Sequence, residues 1–99
     1  MIDLIKIIGF DWDDGNVRKN EKHQVSAAES EQIFFNEPLL LLADTKHSDR
    51  ESRFHALGTT DEGRLLHLTF TLREAGAKIR VISSRDMHRK ERVTYEQAA

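Results

Sequence analysis

Cysteine is missing from all 99 residues, which excludes a disulfide framework and a thiolate metal site and fits a reducing, cytoplasmic setting. Long apolar runs are missing too. The longest, residues 39–43, has the length of a strand, against the ~20 residues of a membrane span, so no membrane role is expected. The opening MIDLIKIIGF has neither the positive start nor the small-residue cleavage site of a signal peptide. Proline occurs once, at Pro38, and no repeat, low-complexity tract or linker interrupts the chain, so a single domain over residues 1–99 is expected. Several chemistries lack their motifs. The five histidines, His23, His47, His55, His67 and His88, include no pair at close helical ligand spacing and no His-Glu-x-x-His, so neither a metal nor another cofactor is expected. Gly58 and Gly63 flank a hairpin turn rather than a strand-to-helix phosphate loop, and no nucleophile elbow is present; Ser83 reads as closing a strand.

What is present is the composition of an ordinary globular domain, 38% apolar and 32% charged, with its charges unevenly placed. Residues 1–63 carry 7 Lys or Arg against 13 Asp or Glu, a balance of −6, whereas residues 64–95 carry 8 against 3, a balance of +5. Such a split either makes one face attractive to a polyanion or reflects surface charges that fall unevenly.

Residues 4–10 read as a first strand, ending at Asp11-Trp12-Asp13-Asp14, where Asp13 or Asp14 caps a first helix. Ser26 and Glu29 have capping-box spacing and open a second helix, which should bury Ile33, Phe34 and Phe35 before Asn36 and Pro38 stop it. Strands are expected at 39–42, 53–57, 64–73 and 78–83, with a loop at 44–50 and hairpin turns at 58–63 and 74–77. A last helix from about residue 86 has few apolar positions, Met87, Val93 and Tyr95, and is either weakly docked or waits for a partner. The fold class is α+β, a small antiparallel meander flanked by helices.

Alternation locates a working face. Pairing Arg73 with Lys78, Leu72 with Ile79, Phe70 with Val81 and Leu68 with Ser83 gives a core face of Leu66, Leu68, Phe70, Leu72, Ile79 and Val81. In the preceding hairpin Phe54 opposes Leu68 and Ala56 opposes Leu66. Arg53, His55, His67, Thr69, Thr71, Arg80 and Ser84 then share the other face. A one-residue slip would bury Arg80 and His67, at a cost of several kcal/mol if unpaired. Such a face offers arginines to phosphate oxygens and hydroxyls to riboses or bases, although an antiparallel sheet normally keeps one wet face in any case.

A set of motifs runs through the chain in order: FDWDD at 10–14, Lys22-His23 followed by Val25-Ser26, IFFNEPL at 33–39, DTKHS at 44–48, Glu51 with Arg53, LG at 57–58, GRLL at 63–66, FT at 70–71, IRVISSR at 79–85 and ERVTY at 91–95. Together they resemble the BrnT family of bacterial toxins. The resemblance implies a small ribonuclease of RelE-like α+β fold, neutralised by a ribbon-helix-helix antitoxin of BrnA type and reaching DNA only indirectly through that antitoxin. The sequence departs from the family pattern at Ser84, where alanine is usual, at Gln24, where glycine is common, at Ala27, where an aromatic residue is common, and at His67, where the residue is often apolar.

Metal-independent RNA cleavage needs a base for the 2′-hydroxyl, cations around the phosphorus and a proton for the leaving oxygen. His23 is the natural proton carrier, with Lys22 beside it as a phosphate contact. Arg64, Arg80 and Arg85 are expected to gather around one phosphate, with Arg53, Thr69, Thr71, Lys78 and Tyr95 as further RNA contacts; Glu51 is a base or a structural partner of Arg53. Two functions stay open: an endoribonuclease toxin, or a catalytically inert partner-binding module acting with an antitoxin in DNA-bound autoregulation. In the second, the acidic residues Asp11, Asp13, Asp14, Glu29, Glu31 and Glu37 would receive a basic partner.

Overall fold

The computed structural model describes residues 3–46 and 51–98. Three helices, α1 (Asp14–Glu21), α2 (Ala27–Gln32) and α3 (Arg89–Ala98), surround a five-stranded sheet built from β1 (Gly9–Phe10), β2 (Leu40–Asp44), β3 (Arg53–Thr59), β4 (Leu65–Arg73) and β5 (Lys78–Asp86). Strand order is β1-β5-β4-β3-β2. The α+β class stands, but the sheet is mixed rather than wholly antiparallel, because β1 lies parallel to β5. Only Gly9 and Phe10 pair as strand; Asp3 accepts the Ile5 N–H and winds Leu4–Lys6 into a 3₁₀ turn instead of extending it.

Both expected helix starts are present. Asp13 accepts the N–H groups of Gly15 and Asn16, and Ser26 exchanges hydrogen bonds with Glu29 in a capping box. Helix α1 runs along the β5 edge, where the Asn16 amide donates to the Val81 carbonyl at 3.1 Å and so satisfies a group that β1 is too short to reach. Helix α2 runs directly into a 3₁₀ turn, Ile33–Phe35, that lays Ile33 and Phe34 on the sheet. Phe35 points outward at 78% exposure, so only two of the three residues expected in the core lie there. Gly58 makes the close approach feasible: a Cβ there would lie 2.8 Å from the Ile33 Cβ.

The core face holds Leu66, Leu68, Phe70, Ile79, Val81 and Ala56, with Val25 and Ile33 from the helix layer. Pairing of Arg73 with Lys78, Leu72 with Ile79 and Phe70 with Val81 is as expected. Beyond Val81 a register shift skips Ile82, so Leu68 opposes Ser84 instead of Ser83. Ser84 is therefore on the core face, fully buried and bonded to the Ser30 hydroxyl at 3.0 Å, rather than on the polar face. Phe54 opposes Phe70 and Ala56 opposes Leu68, a two-residue shift that leaves every side chain on its expected face. Strand β5 also continues past Ser83 to Asp86.

The second sheet face is divided. At one end α3 covers Leu40, Leu57 and Leu65 with Met87 and Tyr95, so the last helix is docked by a small apolar cluster of its own. Among the described residues the remainder is polar and half-buried, and no helix covers it. Glu51, expected as a base or as a structural partner of Arg53, pairs with Arg73. Of the 44–50 loop, Asp44 belongs to β2, and residues 47–50, including His47, lie outside the described residues.

Candidate functional site

Strand register brings Asp44, Arg53, His55, His67, Thr69, Arg80, Ser83 and Arg85 to the open part of this second face. Two of its cations, Arg80 and Arg85, are held by carboxylates, from the segment that enters α1 and from α3. Arg80 lies 3.0 Å from Asp13 and 3.4 Å from Asp11, at the entrance to α1. The Arg80 hydrogen bond, helped by the Asn16 N–H, holds the Asp13 carboxyl below the usual carboxylate range. Arg85 makes a bidentate pair with Glu91 of α3, at 2.8 and 3.0 Å. That pair, with the His88 N–H as a further donor, brings the Glu91 pKa down to about 2.

Between these pairs lie two imidazoles with ring centres 4.9 Å apart. His67 sits 3.9 Å from Glu91, and burial followed by the charge of Arg85 pushes it down to about 4, so it is neutral at physiological pH. His55 is at the centre of a hydrogen-bonded row: its Nε2 is 3.1 Å from Asp44 and its Nδ1 is 3.1 Å from the Thr69 hydroxyl. With the carboxylate at Nε2, the proton belongs on that nitrogen, and Nδ1 accepts from Thr69.

The residues expected around one phosphate are split between two regions. Arg80 and Arg85 are on the open face. Arg64 has the same strand parity as Leu66 and turns to the helix side, where it bonds Asp86 at 2.7 and 3.2 Å, Glu29 at 3.1 Å and the Gln24 carbonyl at 2.9 Å. Its guanidinium also reaches the His23 carbonyl, at 3.5 Å. These partners raise its pKa further, Asp86 foremost, and make Arg64 a brace between β5 and the α1–α2 junction. His23 and Lys22 are exposed at the C-terminal end of α1, whereas Asp13, which holds Arg80, caps its N-terminal end. An eight-residue helix separates the two by ~12 Å. His23 thus lies at the other end of α1 from the Arg80 pair, with its carbonyl at Arg64.

Two further expected contacts have their hydroxyls engaged internally. Thr71, 2% exposed, donates to the Ser52 carbonyl at 2.7 Å, and Tyr95, 4% exposed, donates to the Pro38 carbonyl at 2.7 Å. Burial also raises the Tyr95 pKa. Lys78 pairs with Glu74 at 3.0 Å, at the hairpin end of the face. Sequence reasoning quoted Asp44 and Glu91 only within the DTKHS and ERVTY motifs and gave neither a role. Carrying the alternation of β2 two residues further would have aligned Asp44 with Leu40 and Leu42, beside His55; the pairing of Arg85 with Glu91 crosses a turn and has no periodic signal. Among the described residues no group of three or more His, Asp or Glu gathers as metal ligands do, and no helix is long and apolar enough to cross a membrane.

The α+β fold, with its mixed five-stranded sheet and three helices, is consistent with a small toxin fold of the RelE and BrnT kind. The family model described as the ribonuclease toxin BrnT of type II toxin–antitoxin systems matches residues 12–91, and the chain belongs to that family. Comparison with curated proteins gave no match.

Proposed function

We propose that this protein is the toxin of a type II toxin–antitoxin pair, an endoribonuclease that cleaves RNA without a metal ion and is silenced by a ribbon-helix-helix antitoxin of BrnA type. Family membership supports the toxin role. The observation that carries the nucleic-acid reading is the gathering of Arg53, Arg80, Arg85, Thr69 and two imidazoles on the part of one sheet face that α3 leaves free. Arginines bind phosphate through planar, paired donors, and each well-aimed donor to the developing charge contributes ~2–4 kcal/mol to a transition state. Arg64 supports this face indirectly, by fixing the end of β5 next to Arg85.

One observation favours a second reading, an inert partner-binding module that acts with the antitoxin on DNA: Arg80 and Arg85 already hold carboxylates, so RNA must displace Asp11 and Asp13 or Glu91 to use them. Expression of wild type and Arg80→Ala without antitoxin separates the two. Growth arrest with RNA fragmentation, both lost in a folded Arg80→Ala protein, is the expected result. Intact RNA after incubation of purified wild type with free and ribosome-bound substrates overturns the nuclease reading and leaves the binding module.

A further inference from the structure

The row formed by Asp44, His55 and Thr69 has a geometry that simple sheet packing does not call for. Asp44 is 7% exposed, and it fixes one imidazole nitrogen at 3.1 Å. The other nitrogen is left as an acceptor facing a hydroxyl, at 3.1 Å. The His55 side chain is 30% exposed, so a ligand can approach it from the open face. His67 stacks beside it and limits rotation of the ring. Arg53 stands two residues away on the same strand and face, and Arg85 is paired directly across from His67. A nitrogen base, an orienting carboxylate and flanking guanidinium groups are the parts that 2′-hydroxyl activation requires.

Building on the ribonuclease reading above, we infer that His55 is the general base of this site, that Asp44 positions it, and that the Thr69 hydroxyl occupies in the free protein the place of the ribose 2′-hydroxyl. His55 Nδ1 takes the 2′-hydroxyl proton as O2′ forms a bond to phosphorus and the bond from phosphorus to the 5′-oxygen breaks. The leaving oxygen takes a proton from water, and the resulting hydroxide accepts the proton from the His55 imidazolium. The products are a 2′,3′-cyclic phosphate and a 5′-hydroxyl, with no change in oxidation state. His67 is poorly placed to act as the base, because it is mostly buried and its Nδ1 has no hydrogen-bond partner among the described residues.

The test uses purified full-length protein on a short single-stranded RNA, with end-group analysis of the products. Wild type is expected to leave cyclic phosphate ends. His55→Ala and His55→Gln, each confirmed as folded by its melting curve, are expected to lower kcat ~10²–10⁴-fold, and added imidazole to restore part of the loss in His55→Ala only. Asp44→Asn is expected to lower kcat with KM little changed. Cleavage by His55→Gln within threefold of wild type, or a folded, slow His55→Ala protein that imidazole does not rescue, overturns the role of His55 and leaves the ribonuclease reading intact. A wild type that cleaves no RNA overturns both.

Discussion

Replacing Arg64 with alanine distinguishes a brace from a phosphate ligand. The side chain bonds two carboxylates and two main-chain carbonyls that belong to β5, α2 and the segment after α1. Asp86 is mostly exposed, so its pair with Arg64 is screened and contributes under ~1 kcal/mol. The partly buried bond to Glu29 contributes ~1 kcal/mol, and the exposed bond to the Gln24 carbonyl ~0.5 kcal/mol. A loss of about 2 kcal/mol is expected, which for a domain of this size lowers Tm by ~8–16 °C. The loss depends on pH with a definite sign. Arg64 depresses the folded-state pKa of Asp86 below its ordinary 3.8, and the Ser26 N–H, followed by Arg64, depresses that of Glu29 below its ordinary 4.5. The stabilisation from these two groups is therefore fully present above about pH 5 and is lost as pH falls through the depressed values. Urea melts of wild type and Arg64→Ala at pH 7 and pH 3 check this, the gap between them narrowing at the lower pH. A Tm within 2 °C of wild type at pH 7 would refute the brace.

Three other perturbations follow from particular contacts. Gly58→Ala drives a methyl group into the Ile33 side chain and is expected to cost ~1–3 kcal/mol, measured by denaturant midpoint. Gln24→Gly relieves a left-handed conformation, φ +58°, at the helix end and should raise stability by ~0.5–1 kcal/mol, seen as a higher Tm with the helical signal unchanged. His67 is held neutral when folded, down to about pH 4, but charges near 6.5 when unfolded; stability is present above 6.5 and declines as pH falls from 6.5 to 4. In His67→Gln that part of the decline, on the order of 2 kcal/mol, should disappear from a pH series of urea midpoints.

Local signals read well from sequence because they depend on neighbours. The caps at Asp13 and Ser26 and the alternation of β4 each involve residues a few positions apart. What escaped depends on distant partners. The parallel pairing of β1 with β5 joins segments with no periodic relation, and the skipped Ile82 moved Ser84 from the wet face to the buried one. Arg64 was legible in principle, since counting back from Leu68 and Leu66 puts it on the helix side. Grouping it with Arg80 by charge overlooked that parity. Gln24 was read correctly as standing where glycine is more comfortable, and its positive φ is the physical reason.

The bond from Asn16 to the Val81 carbonyl spans 65 residues, and β1 finds its partner at the same far end of the chain. Because the ribosome delivers residues in order, a nascent chain that has already released β1 and α1 must keep them unpaired until β5 clears the exit tunnel. The Arg80 side of the polar face is assembled from those first and last pieces, so whatever chemistry it performs is withheld from every shorter translation intermediate.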